Sequence, residues 1–103
     1  MAKVTVEAFE KWLSSQDPAG EYRYSDNHNC CFARFLKETG VCANPFVTSS
    51  EWEDLDIDLV YRIPDVIASA LYVTRVVHQQ DWNTFEGAYI ELKRLMEKSH
   101  VPV

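Results

Sequence analysis

Apolar residues recur along this chain at helical spacing in four places. Val6, Phe9, Trp12 and Leu13 fall on one face of a first helix. Thr5 is placed to cap it, and Glu7 sits in the first turn, where the helix dipole favours an acid. The segment "SSQDPAG" then supplies loop chemistry. A second stripe, Cys31, Phe32, Phe35 and Leu36, predicts a helix over residues 29–39, with Asp26, Asn27 or Asn29 as its cap. Gly40 is suited to the left-handed position after it, and Val41 to the contact with Leu36 that such an ending makes. Pro64 opens a third pattern, Val66, Ile67, Ala70, Leu71, Val73 and Thr74, running to about residue 79. Phe85, Ala88, Tyr89, Leu92, Leu95 and Met96 form a clean stripe for a last helix starting near Asn83. "SHVPV" reads as a frayed tail.

Two stretches do not fit that scheme. Tyr22 and Tyr24 alternate with Glu21, Arg23 and Ser25, as in a very short strand or an extended entry to the second helix. "SSEWEDLDIDL" is ambiguous. Ser50 and Glu53 make a capping box, and Trp52, Leu55 and Leu59 fit a helix. Leu55, Ile57 and Leu59 set against Asp54, Asp56 and Asp58 fit a strand equally well. A short helical turn followed by an extended piece is the expectation. The fold expected is therefore mainly α: a small irregular bundle of four to five helices with at most one short extended segment. Residues 1–103 read as a single globular domain, with no repeats and no linker.

Composition narrows the function. The chain is 47% hydrophobic and 25% charged, in the globular range. No apolar run reaches the roughly 18 residues that span a bilayer. "MAKVTVEAFEKW" carries charges where a signal peptide needs its apolar centre, so a cytoplasmic protein is expected. Three cysteines, two of them adjacent, do not make a disulfide framework. The net charge is −6, and Glu51, Glu53, Asp54, Asp56 and Asp58 supply nearly all of it within eight residues. Lys and Arg are scattered, which argues against direct binding to DNA or RNA and towards a basic protein partner.

The residue types present raise four candidate chemistries. His28, Cys30, Cys31 and Cys42 are zinc-ligand types, but they lack the paired knuckles of a closed site. Cys30 or Cys31, at a helix start, is placed for a lowered thiol pKa, with His28 or His78 as base and Asp26 or Asp81 to orient it. No oxyanion loop accompanies that set. Three glycines exclude a P-loop or dinucleotide fingerprint. Counted as a calcium loop from Asp54, the acidic run puts Leu59 where the sharp turn needs glycine, leaving only adventitious Mg or Ca binding. No cofactor or metal is expected. The fourth chemistry is a protein-binding surface made of Glu51, Glu53, Asp54, Asp56 and Asp58, with Trp52 as aromatic anchor. In an extended run, Asp54, Asp56 and Asp58 would share one face about 6.5–7 Å apart and imitate a nucleic-acid backbone. The plain alternative is a solvated acidic face with Trp52 in the core.

The stretch "EYRYSDNHNCCFARFLKETG" resembles small phage and prophage proteins without an assigned activity. They carry Tyr-x-Tyr-x-Asp-Asn, a cysteine, then Ala and Phe/Tyr-Leu on a helix. The matching residues are Tyr22, Tyr24, Asp26, Asn27, Cys30 or Cys31, Ala33, Phe35 and Leu36. The resemblance implies a phage or mobile-element origin, and small acidic phage proteins without enzyme motifs are often inhibitors of host machinery, anti-CRISPR proteins among them. The function expected is thus a non-enzymatic inhibitor of a host nucleic-acid-handling complex, bound through a basic surface of a host protein or ribonucleoprotein. The rivals are a thiol-dependent enzyme using Cys30 or Cys31, and a phage structural or assembly protein that self-associates through an apolar helix face.

Overall fold

The computed structural model describes residues 4–99. The chain is mixed α/β, not a helical bundle. Its elements run α1 (Val6–Ser14), β1 (Glu21–Arg23), α2 (Cys31–Glu38), β2 (Pro45–Val47), β3 (Glu51–Asp54), β4 (Leu59–Arg62), α3 (Asp65–His78), β5 (Trp82–Thr84) and α4 (Phe85–Ser99). The strands form two small antiparallel sheets, β1–β5 and β2–β3–β4.

The four helices stand where the apolar stripes put them. The Thr5 hydroxyl accepts from the Ala8 amide at 3.0 Å, closing the cap of α1. Gly40 ends α2 at φ 76°, and its amide donates to the Lys37 carbonyl. The Cys42 amide then donates to the Leu36 carbonyl, and Val41 packs partly buried against the core. The N-cap of α2 is Cys30, with no side-chain cap bond. Asp26 serves the preceding turn instead, accepting from the amides of His28 and Asn29 through Oδ1.

The helices close on an aromatic core. Phe9 meets the Phe35 ring edge-on at 5.2 Å, and Phe32, Trp12 and Phe85 complete the cluster. Trp12 donates its indole N–H to Glu38 at 3.2 Å, so its polar end is satisfied at the rim.

The bundle expectation fails in the segments between helices. "EYR" is a strand because Trp82, Asn83 and Thr84 pair with it, where the sequence pattern predicts a break and a helix start. The last helix therefore begins at Phe85. The Ser50–Glu53 capping box does not open a helix. Residues 51–54 form the central strand of the second sheet, with Val47 opposite Trp52 on one side and Tyr61 on the other. Trp52 is 2% exposed and stacks on Tyr61 at 4.4 Å. Covering that indole between two strands outweighs a local helix signal of about 1 kcal/mol.

Candidate functional site

The acidic run folds as a hairpin. β3 and β4 pair in the register Glu51↔Arg62, Trp52↔Tyr61, Glu53↔Val60 and Asp54↔Leu59, which leaves 55–58 as the turn. No glycine or proline makes that turn. The Asp54 carboxylate accepts from the Asp56 amide at 3.0 Å, and Asp58 takes the left-handed conformation at φ 55°, which Asp tolerates better than bulkier residues.

Strand alternation then distributes the carboxylates. Trp52 and Asp54 share the face of the sheet that carries buried Val47, while Glu51 and Glu53 lie on the opposite face with Phe46, Val60 and Arg62. Asp56 and Asp58 ride on the turn. Asp54, Asp56 and Asp58 therefore do not form an evenly spaced row along a strand. Trp52 points into the core and does not offer its ring as a surface anchor.

The same geometry brings forward apolar residues that the acidic-surface reading of the sequence does not include. Leu55, Ile57, Leu59 and Val60 are exposed, at 37% to 58%. They interleave with the five acids, so the tip is both apolar and negative. A shallow depression of about 130 Å³ between Phe46, Glu51, Glu53 and Val60 continues this surface along the outer face. Among the described residues none of the five acids is ion-paired. The nearest base on the hairpin, Arg62, lies 3.5 Å from Asp65.

β4 is also an open edge, since among the described residues it pairs only with β3. Ile63 donates to the Ser50 carbonyl, which sets the ladder phase. In an antiparallel ladder the backbone groups of Val60 and Arg62 then face outward. The far side of β2 is closed: Asn27 accepts from the Val47 amide through its carbonyl and donates to the Val47 carbonyl through its side chain.

The cysteine candidates behave differently. Cys30, Cys31 and Cys42 are buried thiols. The first-turn amides of Phe32 and Ala33 favour a thiolate at Cys30, but burial dominates and raises its pKa. Burial pushes Cys31 up further. Cys42 is raised by burial and by its contact with the Asp54 carboxylate. His28 turns its ring to the Pro45 carbonyl at 3.1 Å, and Asp81 is held by Ser25 and Arg23. Among the described residues, no cysteine is hydrogen-bonded to a histidine, and no three His, Cys, Asp or Glu side chains converge on a metal-sized space. Nor is any helix there long and apolar enough to cross a membrane.

A second apolar patch lies on α3, where Tyr72, Val76 and Val77 are exposed, with Trp82 just beyond. Compared with known proteins, the chain matches no family model, no curated protein and no solved structure.

Proposed function

We propose that the protein is a non-enzymatic binding protein that docks its β3–β4 hairpin on a basic surface of a nucleic-acid-handling complex and inhibits it. The observation that carries this reading is the tip itself: exposed Leu55, Ile57, Leu59 and Val60 set among five carboxylates with no ion pair among the described residues. A partner's Lys and Arg relieve the mutual repulsion of the acids. Covering the apolar side chains adds about 25 cal/mol for each Å² removed from water. Neither element alone makes a specific site; together they specify a surface that is basic at its rim and apolar at its centre. Anti-CRISPR activity is the concrete form that the sequence resemblance implies.

The raised thiol pKa values and the absence of a bonded histidine base among the described residues give the thiol-enzyme alternative no support. The assembly alternative has one observation in its favour, the exposed stripe on α3. Light scattering over a range of concentrations separates it: a monomer at all concentrations removes that reading.

The test is charge reversal. Glu53→Lys, Asp56→Lys and Asp58→Lys together abolish capture of the partner from an extract of the host cells and leave the circular dichroism spectrum unchanged. Capture that survives the triple reversal refutes the hairpin mechanism. Wild-type binding weakens as salt rises from about 0.05 to 0.5 M, because rim charges are screened over that range.

A further inference from the structure

The three-stranded sheet treats its two edges differently. The β2 edge is closed by Asn27, which bonds both the amide and the carbonyl of Val47. The β4 edge is bare. Among the described residues no strand lies beside it, so the outward N–H and C=O groups of Val60 and Arg62 have no ladder partner. Sheet edges are ordinarily blunted by proline, by a bulge or by several charges. β4 reads Leu59, Val60, Tyr61, Arg62, and it pairs one for one with β3, so it carries neither proline nor bulge. Its single charge is Arg62, whose side chain is 78% exposed and whose contact with Asp65 is long, at 3.5 Å.

We propose that the partner engages this edge by strand addition: an extended segment pairs antiparallel with β4 and sends an arginine across Val60 into the depression of about 130 Å³ on the outer face. This mode of binding rests on the hairpin reading proposed above and specifies the segment that the hairpin takes. Narrow pairs at Val60 and Arg62 give that segment four main-chain hydrogen bonds. Its side chains then alternate between the two faces of the sheet. The residue opposite Val60 lies on the outer face, with Glu53 one strand further in. Neighbouring strands are about 4.8 Å apart, so Glu53 stands about 9.6 Å from the added strand. An arginine and a glutamate reaching towards one another cover that distance. The arginine stem lies along the short, exposed side chain of Val60. Its guanidinium enters the depression, where Phe46 supplies an aromatic ring and Glu51 and Glu53 have no ion pair among the described residues.

The same register specifies the neighbouring positions. The residue opposite Tyr61 faces the other side of the sheet, beside half-buried Tyr61 and exposed Leu59, and is apolar. The residue opposite Arg62 is acidic, since a base there would oppose a like charge. Past Leu59 the segment runs along Asp58 and Asp56, which suit lysine. From N- to C-terminus the segment therefore reads acid, apolar, arginine, any residue, lysine.

The probe is the peptide acetyl-Thr-Glu-Val-Arg-Thr-Lys-Lys-amide, followed by amide chemical shifts of the full chain. It binds saturably and shifts the Val60 and Arg62 amides most. Exchanging its Glu and Arg keeps composition and charge and weakens binding about tenfold. N-methylation of its Arg amide removes one ladder donor, leaves every side chain, and abolishes binding. In the host extract, Val60→Pro abolishes capture of the partner: proline is tolerated at an edge amide that faces solvent, and circular dichroism checks that the fold is kept. Absence of saturable binding, equal binding of the exchanged peptide, or undiminished binding of the N-methylated one each overturns the proposal. So does protection of the Val60 and Arg62 amides that grows with concentration of the protein alone, which assigns the edge to a second copy. Capture that survives Val60→Pro but not the triple charge reversal overturns strand addition and leaves the hairpin reading standing. Capture that survives both overturns both.

Discussion

The aromatic core and the hairpin tip use similar residues to opposite ends. Phe9, Phe32 and Phe35 are almost wholly covered, and each ring meets at least two others within 6 Å. Ile57 and Leu59 are as apolar as core residues, yet more than half exposed. The acids divide in the same way. Asp81, beside the β1–β5 sheet, accepts from the Ser25 hydroxyl and from Arg23, both at 2.6 Å. Asp56 and Asp58, on the tip, have no ion pair among the described residues. In one region each side chain has its partner within the chain, so it contributes to folding. In the other, apolar and charged groups alike are exposed without an ion pair among the described residues, and on the proposed reading they contribute to binding.

The contrast is sharpest in stability. Phe35→Ala is expected to cost about 3–5 kcal/mol in urea unfolding, through lost burial and the cavity left behind. Ile57→Ser is expected to change stability by no more than about 0.5 kcal/mol, since the side chain is exposed on the turn. A large loss at Ile57 would place the tip in the core and erase the distinction.

Asp81→Asn is expected to cost about 1–2 kcal/mol at pH 7, allowing for the half-exposed Arg23 that screens the pair. Hydrogen bonds from Ser25 and then Arg23 lower the Asp81 pKa from its ordinary value of 3.8. A carboxylate with a depressed folded pKa stabilises above its unfolded pKa and loses that contribution as pH falls through the folded one. The difference between wild type and Asp81→Asn is therefore complete at neutral pH and shrinks below about pH 4. Unfolding curves across pH 2–7 check this. Asp56→Asn, by contrast, is expected to leave stability at pH 7 unchanged, because the exposed Asp56 has no ion pair among the described residues.

The smallest expected effect separates Asp54 from the other acids of the run. Its carboxylate holds the turn through the Asp56 amide, so Asp54→Ala costs about 0.5–1 kcal/mol. Asp58→Asn is neutral or slightly stabilising, because Asn occupies the left-handed region at least as readily.

The helices were legible in the sequence because each repeats its apolar spacing over two turns or more. The strands were not, apart from β1, where the Tyr22–Tyr24 alternation left a very short strand open as one of two readings. Each is three or four residues long, too short for an alternation to stand out, and their partners lie elsewhere in the chain, as Glu21 opposite Thr84 shows. At Ser50–Glu53 the local signal pointed to a helix, and tertiary burial of Trp52 against Val47 and Tyr61 overrode it. The acidic run was visible as a charge anomaly. Its shape was not, because the turn at 55–58 relies on Asp54 and Asp58 in place of glycine. The exposed Leu55, Ile57 and Leu59 were hidden by their own pattern, since an apolar alternation ordinarily implies that one face is covered.

The central claim is that the free groups of the tip are the ones a partner covers. Amide hydrogen exchange of the protein alone and in its captured complex tests this directly. The account predicts new protection concentrated on residues 53–62, strongest at the outward-facing amides of Val60 and Arg62. Protection confined to the helices, with exchange of the hairpin unchanged, would contradict it.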